Sequence, residues 1–379
     1  MRHKGRINMK VLHLNAGNET GGGMYHILDL LETLSQKEFF LGVFEKGPMF
    51  ERAFKRGINI QLFPQKTKYD FSLIAKVVQF IDENKIDIIH THGARANLFG
   101  YLIKRKRPHC MWVTTVHSNP FHDFLGKGIA GRVFTKVHLL TLKKPDHYFA
   151  ISSRFKELLV SQGIKENKIT TIFNGIDFSC SHSSIELSRG DIGLEEEQFV
   201  IIMVARLTPV KGHVTAFAAL KKVIDHYPDV KLLLVGDGFL EEDLRRQAKE
   251  MGLTQHILFL GYREDVVSLW QLSDLKILTS YSESFPLVLL EAARAKLPVI
   301  TTDVGGVGDL VPSNKYGWVI PVKDYDQLAL AINEAIDLKH LGKLQEKGNC
   351  LNERASSLFN VENFRKSVID TYKKLTRLT

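Results

Sequence analysis

Cysteine is nearly absent from this chain: three in 379 residues, at positions 110, 180 and 350. They lie far apart with no ligand spacing, which argues against both a disulfide framework and a zinc site. Also missing is any apolar run approaching the roughly 18 residues needed to span a bilayer. The basic start "MRHKGRINMKVLHLN" is followed by an apolar part too short and too soon interrupted for a signal peptide. The expected location is therefore cytoplasmic, and the first eight residues, ahead of Met9, read as a tail or an upstream start. Internal repeats and low-complexity tracts are absent. Acid is scarce in one half only. Residues 1–177 hold 27 Lys+Arg against 15 Asp+Glu, a balance of +12, whereas residues 178–379 hold 24 against 27, a balance of −3. No aromatic-basic recognition motif accompanies that excess, so nucleic acid is not an expected partner.

What the chain does contain is strand and helix in alternation. "MKVLHLN" leads through "AGNETGGG" into "MYHILDLLETLS", "IDIIHTH" into "GARANLFGYLIKRK", "MWVTTVHS" into an amphipathic stretch ending at Leu142, and "HYFAISS" into "RFKELLVSQG". Strands apolar on both faces and separated by helices imply a parallel sheet covered on both sides. The Ser-, Gly- and Glu-rich segment "FNGIDFSCSHSSIELSRGDIGLEEE" breaks the pattern, and a second series runs from "QFVIIMVARL" to "GWVIPV". The reading is α/β, with two doubly wound, Rossmann-like domains and a cleft between them. Residues 1–177 form the first domain, 178–195 a linker and 196–360 the second; the helix within 361–379 can pack on either. Ligands of such sheets sit beyond the carboxyl ends of the strands.

The stretch "SYSESFPLVLLEAARA" places Glu283 and Glu291 at the two ends of an uncharged, mostly apolar run. Pro286 suits the first turn of a helix, which puts Glu283 in the loop before it and Glu291 among Leu, Val and Ala, where an ionised carboxylate needs a partner. Upstream, "VARLTPVKG" ends a strand with Arg206 and Lys211, two cations where an anion would meet the strand's carboxyl end. "LLLVGDG", containing Gly236, and "TTDVGGVGDLV" add glycine turns at two further strand ends. With the helix N-terminus at Phe285, Pro286 and Leu287, these loops make a diphosphate site that requires no metal.

The ordered set "GNETGGG", "VHSN", "FNGID", "ARLTPVKG", "VGDG", "ESFPLVLLE" and "DVGG" resembles the retaining glycosyltransferases of family 4, which have the GT-B fold, over nearly the whole chain. The resemblance implies that Arg206 and Lys211 hold the diphosphate of a nucleotide-sugar donor, with the backbone at Phe285 to Leu287 at its distal phosphate. It places Glu283 on the sugar hydroxyls and Glu291 on the ribose. Gly22 and Gly23 would admit the donor close to the backbone, and His117 would contact the donor sugar or the reacting centre. No protein nucleophile and no cofactor are implied, because the leaving phosphate helps deprotonate the acceptor. A nucleotide-sugar epimerase of related fold, or a transferase with a soluble acceptor, are the alternative readings.

Three further signals carry less. Asp324 and Asp326 read as helix-cap residues rather than metal ligands. His90 and His92 share one face of a strand and read as acceptor contacts or packing. The basic residues 104–107, with Lys127, Arg132, Lys136, Lys143 and Lys144, form a cationic, partly apolar stretch suited to an anionic membrane. The expected enzyme is peripheral on the inner face of the cell membrane, acting in cell-envelope or polysaccharide synthesis on an acceptor glycan or lipid-linked sugar.

Overall fold

The computed structural model describes residues 9–19, 21–67, 70–120, 128–179 and 187–377. The chain divides into two units, residues 1–174 with 361–379, and residues 175–360. Lys127 and much of the expected linker lie outside the described residues.

The first unit is a seven-stranded parallel sheet formed by β1 (Val11–Asn15), β2 (Phe39–Val43), β3 (Ile60–Leu62), β4 (Ile88–His92), β5 (Met111–Val116), β6 (His147–Ala150) and β7 (Ile169–Thr171). Their order is β3-β2-β1-β4-β5-β6-β7. Its helices are α1 (Gly22–Glu32), α2 (Pro48–Lys55), α3 (Leu73–Asn84), α4 (Ala94–Lys106), α5 (Gly128–Leu142) and α6 (Ser153–Ser161). Strand alternation splits the core: Val11 packs with Ile27, Leu28 and Leu31 of α1, while Leu12 and Leu14 pack with Val77 and Ile81 of α3 and Phe99 of α4.

The second unit holds β8 (Phe199–Val204), β9 (Val230–Val235), β10 (Ile257–Gly261), β11 (Leu275–Leu278), β12 (Val299–Thr302) and β13 (Trp318–Ile320), in the order β10-β9-β8-β11-β12-β13. Between and after them run α7 (His213–Val223), α8 (Glu241–Glu250), α9 (Val266–Leu272), α10 (Leu287–Arg294), α11 (Val307–Leu310), α12 (Tyr325–His340) and α13 (Leu344–Leu358). The last helix, α14 (Val361–Thr376), returns to the first unit, where Phe364, Val368 and Tyr372 join the α1 core. In both sheets the order reverses beside the first strand, between β1 and β4 and between β8 and β11. Such reversal points are where α/β sheets receive ligands.

Two sequence expectations need correction. Helix α10 starts at Leu287, one residue later than expected; Pro286 is its cap, with an extended ψ of 99° and a carbonyl that accepts the Leu289 N–H at 3.0 Å. The basic run 104–107 is not four free cations. Lys104 Nζ donates to Asp146 Oδ2 at 2.7 Å and to the Cys110 carbonyl, and Arg107 is paired with Asp82. Asp324 caps α12, accepting the Gln327 N–H at 2.9 Å, and Asp326 in the first turn pairs with Lys222.

Candidate functional site

In the second unit the loops after β8 and β11 meet. Lys211 Nζ donates to Glu283 Oε1 at 2.6 Å, and the Ser280 hydroxyl donates to the same oxygen at 2.7 Å. Both ends of the pair are mostly buried, with side-chain exposures of 18% and 14%. The Thr279 hydroxyl reaches back to the Lys211 carbonyl at 3.0 Å and ties the two loops together. Arg206 stands exposed in the same loop and has no ion-pair partner among the described residues. The sequence assigned Lys211 to phosphate and Glu283 to sugar as separate contacts; the structure joins them in one ion pair.

The glycine turns shape this site by close backbone approach. A side chain on Gly236, whose φ is +135°, would stand 2.2 Å from the Ala205 carbonyl oxygen, beside Arg206. At Gly305, φ +51°, it would stand 2.2 Å from the Ser284 carbonyl oxygen, so the "DVGG" loop rests on the backbone that carries Glu283. Phe285 and Pro286 are buried, and the Phe285 ring stacks on Phe359 at 5.4 Å, which fixes the entry to α10.

Beneath these loops lie two residues that the sequence reading missed. Lys276 on β11 is fully buried; its ammonium makes no hydrogen bond among the described residues and lies 5.5 Å from the Trp270 ring centre. Burial pushes its pKa down to about 7, opposed by the charges of Glu291 and Glu283. Glu283 and Glu291 thus both act on one buried cation. His213, the first residue of α7, is buried with neither ring nitrogen partnered among the described residues, and burial with the charges of Lys276 and Lys211 lowers its pKa to about 4. A lysine inside "DLKILTS" was the available signal, since a charged residue in a strand apolar on both faces must be buried or at an end.

Lys276 has a testable stability cost. Between pH 10.5 and about 7 the unfolded chain binds a proton that the folded chain does not, so the penalty grows as pH falls and is complete below about 7. Lys276→Met is expected to raise stability by about 1 to 4 kcal/mol at pH 7, with the gain vanishing near pH 11. Thermal unfolding at both pH values checks this; an equal gain at both would mean that charge burial is not the cause.

In the first unit, Gly22 and Gly23 open α1, and His117 follows β5. A side chain on Gly23 would stand 3.2 Å from Glu19 Oε2 and 3.8 Å from His117 Nδ1, so the glycine leaves a space between those groups. A pocket of about 60 Å³ adjoins them, lined by Glu19, Gly93, Asn97, Thr115, His117 and Ser118.

Behind His117 lie His13 on β1, His26 on α1, and His90 and His92 on β4, all buried. His13 is the register partner of His90 on the neighbouring strand, and His92 two residues on shares their face. His13 Nδ1 meets His92 Nε2 at 3.0 Å, and His92 Nδ1 meets His117 Nε2 at 2.9 Å. His26 Nδ1 donates to Asn174 Oδ1 at 2.6 Å. Burial pushes the pKa of His13 to about 3 and of His26 to about 4. Burial and the neighbouring imidazoles hold His90, His92 and His117 well below the usual range. One nitrogen from each of His13, His90 and His92 lies within 4.8 Å of the others, a donor set suited to a transition metal. In this arrangement, however, the nitrogens of His13 and His92 already face each other. The sequence singled out His90 and His92 as a pair; His13 and His26, on other elements, gave no local signal.

Comparison with known proteins matches residues 184–351 to the family described as glycosyl transferases group 1, and residues 20–179 to glycosyltransferase family 4. N-acetyl-alpha-D-glucosaminyl L-malate synthase of Bacillus anthracis is 30% identical over 280 residues, 72% of this chain and 71% of that one. The Escherichia coli UDP-Gal:alpha-D-GlcNAc-diphosphoundecaprenol alpha-1,3-galactosyltransferase is 28% identical over 310 residues, 80% of this chain and 79% of that one. Among solved structures, Anabaena HepE in complex with UDP superposes with a TM-score of 0.84 at 25% identity, covering 97% of this chain and 100% of that one. HepE in complex with UDP-glucose gives a TM-score of 0.81.

Proposed function

This chain belongs to the glycosyltransferases of group 1 and family 4 and has their GT-B fold, and from that premise we propose that it moves a sugar from a UDP-sugar to a hydroxyl of a lipid-linked glycan, with retention. The observation that carries the proposal is the cationic loop of Arg206 and Lys211 joined to Glu283 at the strand-order reversal between β8 and β11. A diphosphate entering there competes with Glu283 for Lys211 and frees the carboxylate for the sugar hydroxyls. Glu291, farther along α10, serves the ribose. As the bond from the sugar's anomeric carbon to the diphosphate breaks, charge grows on the phosphate and the two cations stabilise it. The acceptor oxygen bonds to that carbon on the same face, and its proton passes to the leaving phosphate. No metal is needed for these steps. UDP as the leaving group is favoured by the HepE complexes with UDP and UDP-glucose, and a lipid diphosphate acceptor by the name of the E. coli relative.

The test is to offer labelled UDP-galactose, UDP-glucose and UDP-N-acetylglucosamine with a sugar-diphosphate-polyprenol, and separately with L-malate and free sugars. The expected result is label in the lipid phase, with the donor's anomeric configuration kept by NMR and turnover unaffected by chelator. Inversion, a new UDP-sugar epimer without transfer, or transfer only to soluble acceptors would each contradict the corresponding part.

The two glutamates are expected to separate in mutants. Glu283→Gln removes the negative partner of Lys211, so transfer falls while UDP affinity holds or rises. Glu291→Gln is expected to weaken UDP by about 1 to 3 kcal/mol through lost charged hydrogen bonds. Calorimetric titration with UDP distinguishes them, and unchanged affinity in the second variant would return Glu291 to a structural role as partner of Lys276.

The acceptor side of the proposal draws on α5. Val133, Val137 and Leu140, at helical spacing, are 54%, 37% and 58% exposed, and Arg132, Lys136, Lys143 and Lys144 are exposed in the same segment. With Lys104 and Arg107 already paired, α5 and the residues after it are the better basic face. Each cation near an anionic surface contributes about 1 kcal/mol. Neutralising Arg132, Lys136, Lys143 and Lys144 to Gln is therefore expected to abolish flotation with anionic liposomes and leave UDP binding intact. Undiminished flotation would reject this face.

A further inference from the structure

The histidines of the first unit form an ordered path. His90 Nε2 meets the Thr115 hydroxyl at 2.7 Å, and His90 Nδ1 meets the hydroxyl of Tyr372 on α14. The Tyr372 hydroxyl stands 3.4 Å from His13 Nε2, and the path continues through His92 to His117 by the two contacts given above. The ring centres of His13 and His92 are 5.2 Å apart with planes inclined by 11°, and those of His92 and His117 are 5.2 Å apart at 31°. Those separations match a hydrogen bond plus two ring radii, so the rings meet edge to edge. Stacked faces would bring the centres closer.

A neutral imidazole has one N–H and one lone pair, so each link constrains the next. One direction runs from Thr115 O–H to His90 Nε2, His90 Nδ1–H to Tyr372, Tyr372 O–H to His13 Nε2, His13 Nδ1–H to His92 Nε2, and His92 Nδ1–H to His117 Nε2. His117 is left with its hydrogen on Nδ1. The opposite direction also closes but ends on an Nδ1 lone pair. The carboxylate of Glu19, across Gly23 from His117 Nδ1, favours the direction that turns an N–H toward it.

We propose that Tyr372, His13 and His92 form a directional hydrogen-bond train that fixes the His117 imidazole with its proton on Nδ1, making Tyr372 of the last helix a positioning residue for the transfer site. The functional part of this rests on the proposed sugar transfer and on His117 contacting the donor sugar or the reacting centre, as the family resemblance implies. His117 then meets a substrate oxygen as an N–H donor in one orientation. The tautomer of a ring is set by the bond its other nitrogen makes, and the train extends that control inward through His92 and His13 to Tyr372.

The test is 15N NMR of histidine-labelled protein at pH 7.5. His13, His92 and His117 are all expected as the Nδ1–H tautomer, which a free neutral imidazole disfavours. Tyr372→Phe is expected to disturb the His117 pattern and lower turnover by about 10-fold while UDP binding stays unchanged. His13→Leu, which removes both the acceptor for Tyr372 and the donor to His92 Nε2, should disturb the His117 pattern in the same way. An Nε2–H tautomer at His117 in the wild type, a His117 pattern unmoved by Tyr372→Phe, or a stoichiometric transition metal in the purified protein would each overturn the train. The tautomer readout needs no turnover. The expected pattern in a protein that transfers no sugar supports the train and overturns only the reading of the reaction.

Discussion

Lowering the pH from 6 to 5 is expected to remove about 4 kcal/mol of stability from the first unit, about 1 kcal/mol for each of four fully buried neutral histidines. His13, His26, His90 and His92 all titrate in the folded protein well below their ordinary value of 6.5. Below pH 6.5 the unfolded chain therefore takes up protons that the folded chain refuses, and stability is lost as pH falls until the folded values are reached. His117, which is only half-buried, adds less. Calorimetric unfolding between pH 7 and 5 tests this, and His26→Gln, outside the train to His117, should flatten the dependence by one proton. A melting temperature flat over that range would mean that the cluster is hydrated and charged.

Loss of either cation in the loop after β8 is expected to lower turnover at least ~100-fold, because each stabilises charge that grows only as the diphosphate leaves. The two variants should differ in stability. Arg206 is exposed and unpaired among the described residues, so Arg206→Ala leaves unfolding unchanged. Lys211→Ala strips the mostly buried Glu283 of its ion-pair partner, with the Ser280 hydroxyl remaining, and is expected to cost about 1 to 3 kcal/mol. Steady-state kinetics beside thermal unfolding separates the effects. Near wild-type turnover in both variants would remove the diphosphate from this loop, and turnover abolished by a chelator would bring a metal into it.

Local chemistry made much of this protein legible from its sequence. Alternating apolar strands and amphipathic helices gave two parallel sheets, because side-chain period and turn residues act over a few positions. The glycine turns, the cations after β8 and the capping Pro286 before α10 are likewise short-range signals, and they placed Arg206, Lys211 and Glu283 at strand ends. What they could not give was which strand lies beside which. Strand order brings β8 beside β11, and with it Lys211 onto Glu283, 72 residues away. The same non-local pairing sets β1 beside β4 and carries Tyr372 to His90 across 282 residues, turning scattered histidines into one neutral network. Lys276 reads locally as one lysine in a strand, but its burial depends on α9 and α10 packing over it. The sequence by itself determined the elements and the chemical groups at their ends; the tertiary structure decided which of those groups touch, because contact between distant strands follows from the sheet order that buries the most apolar surface.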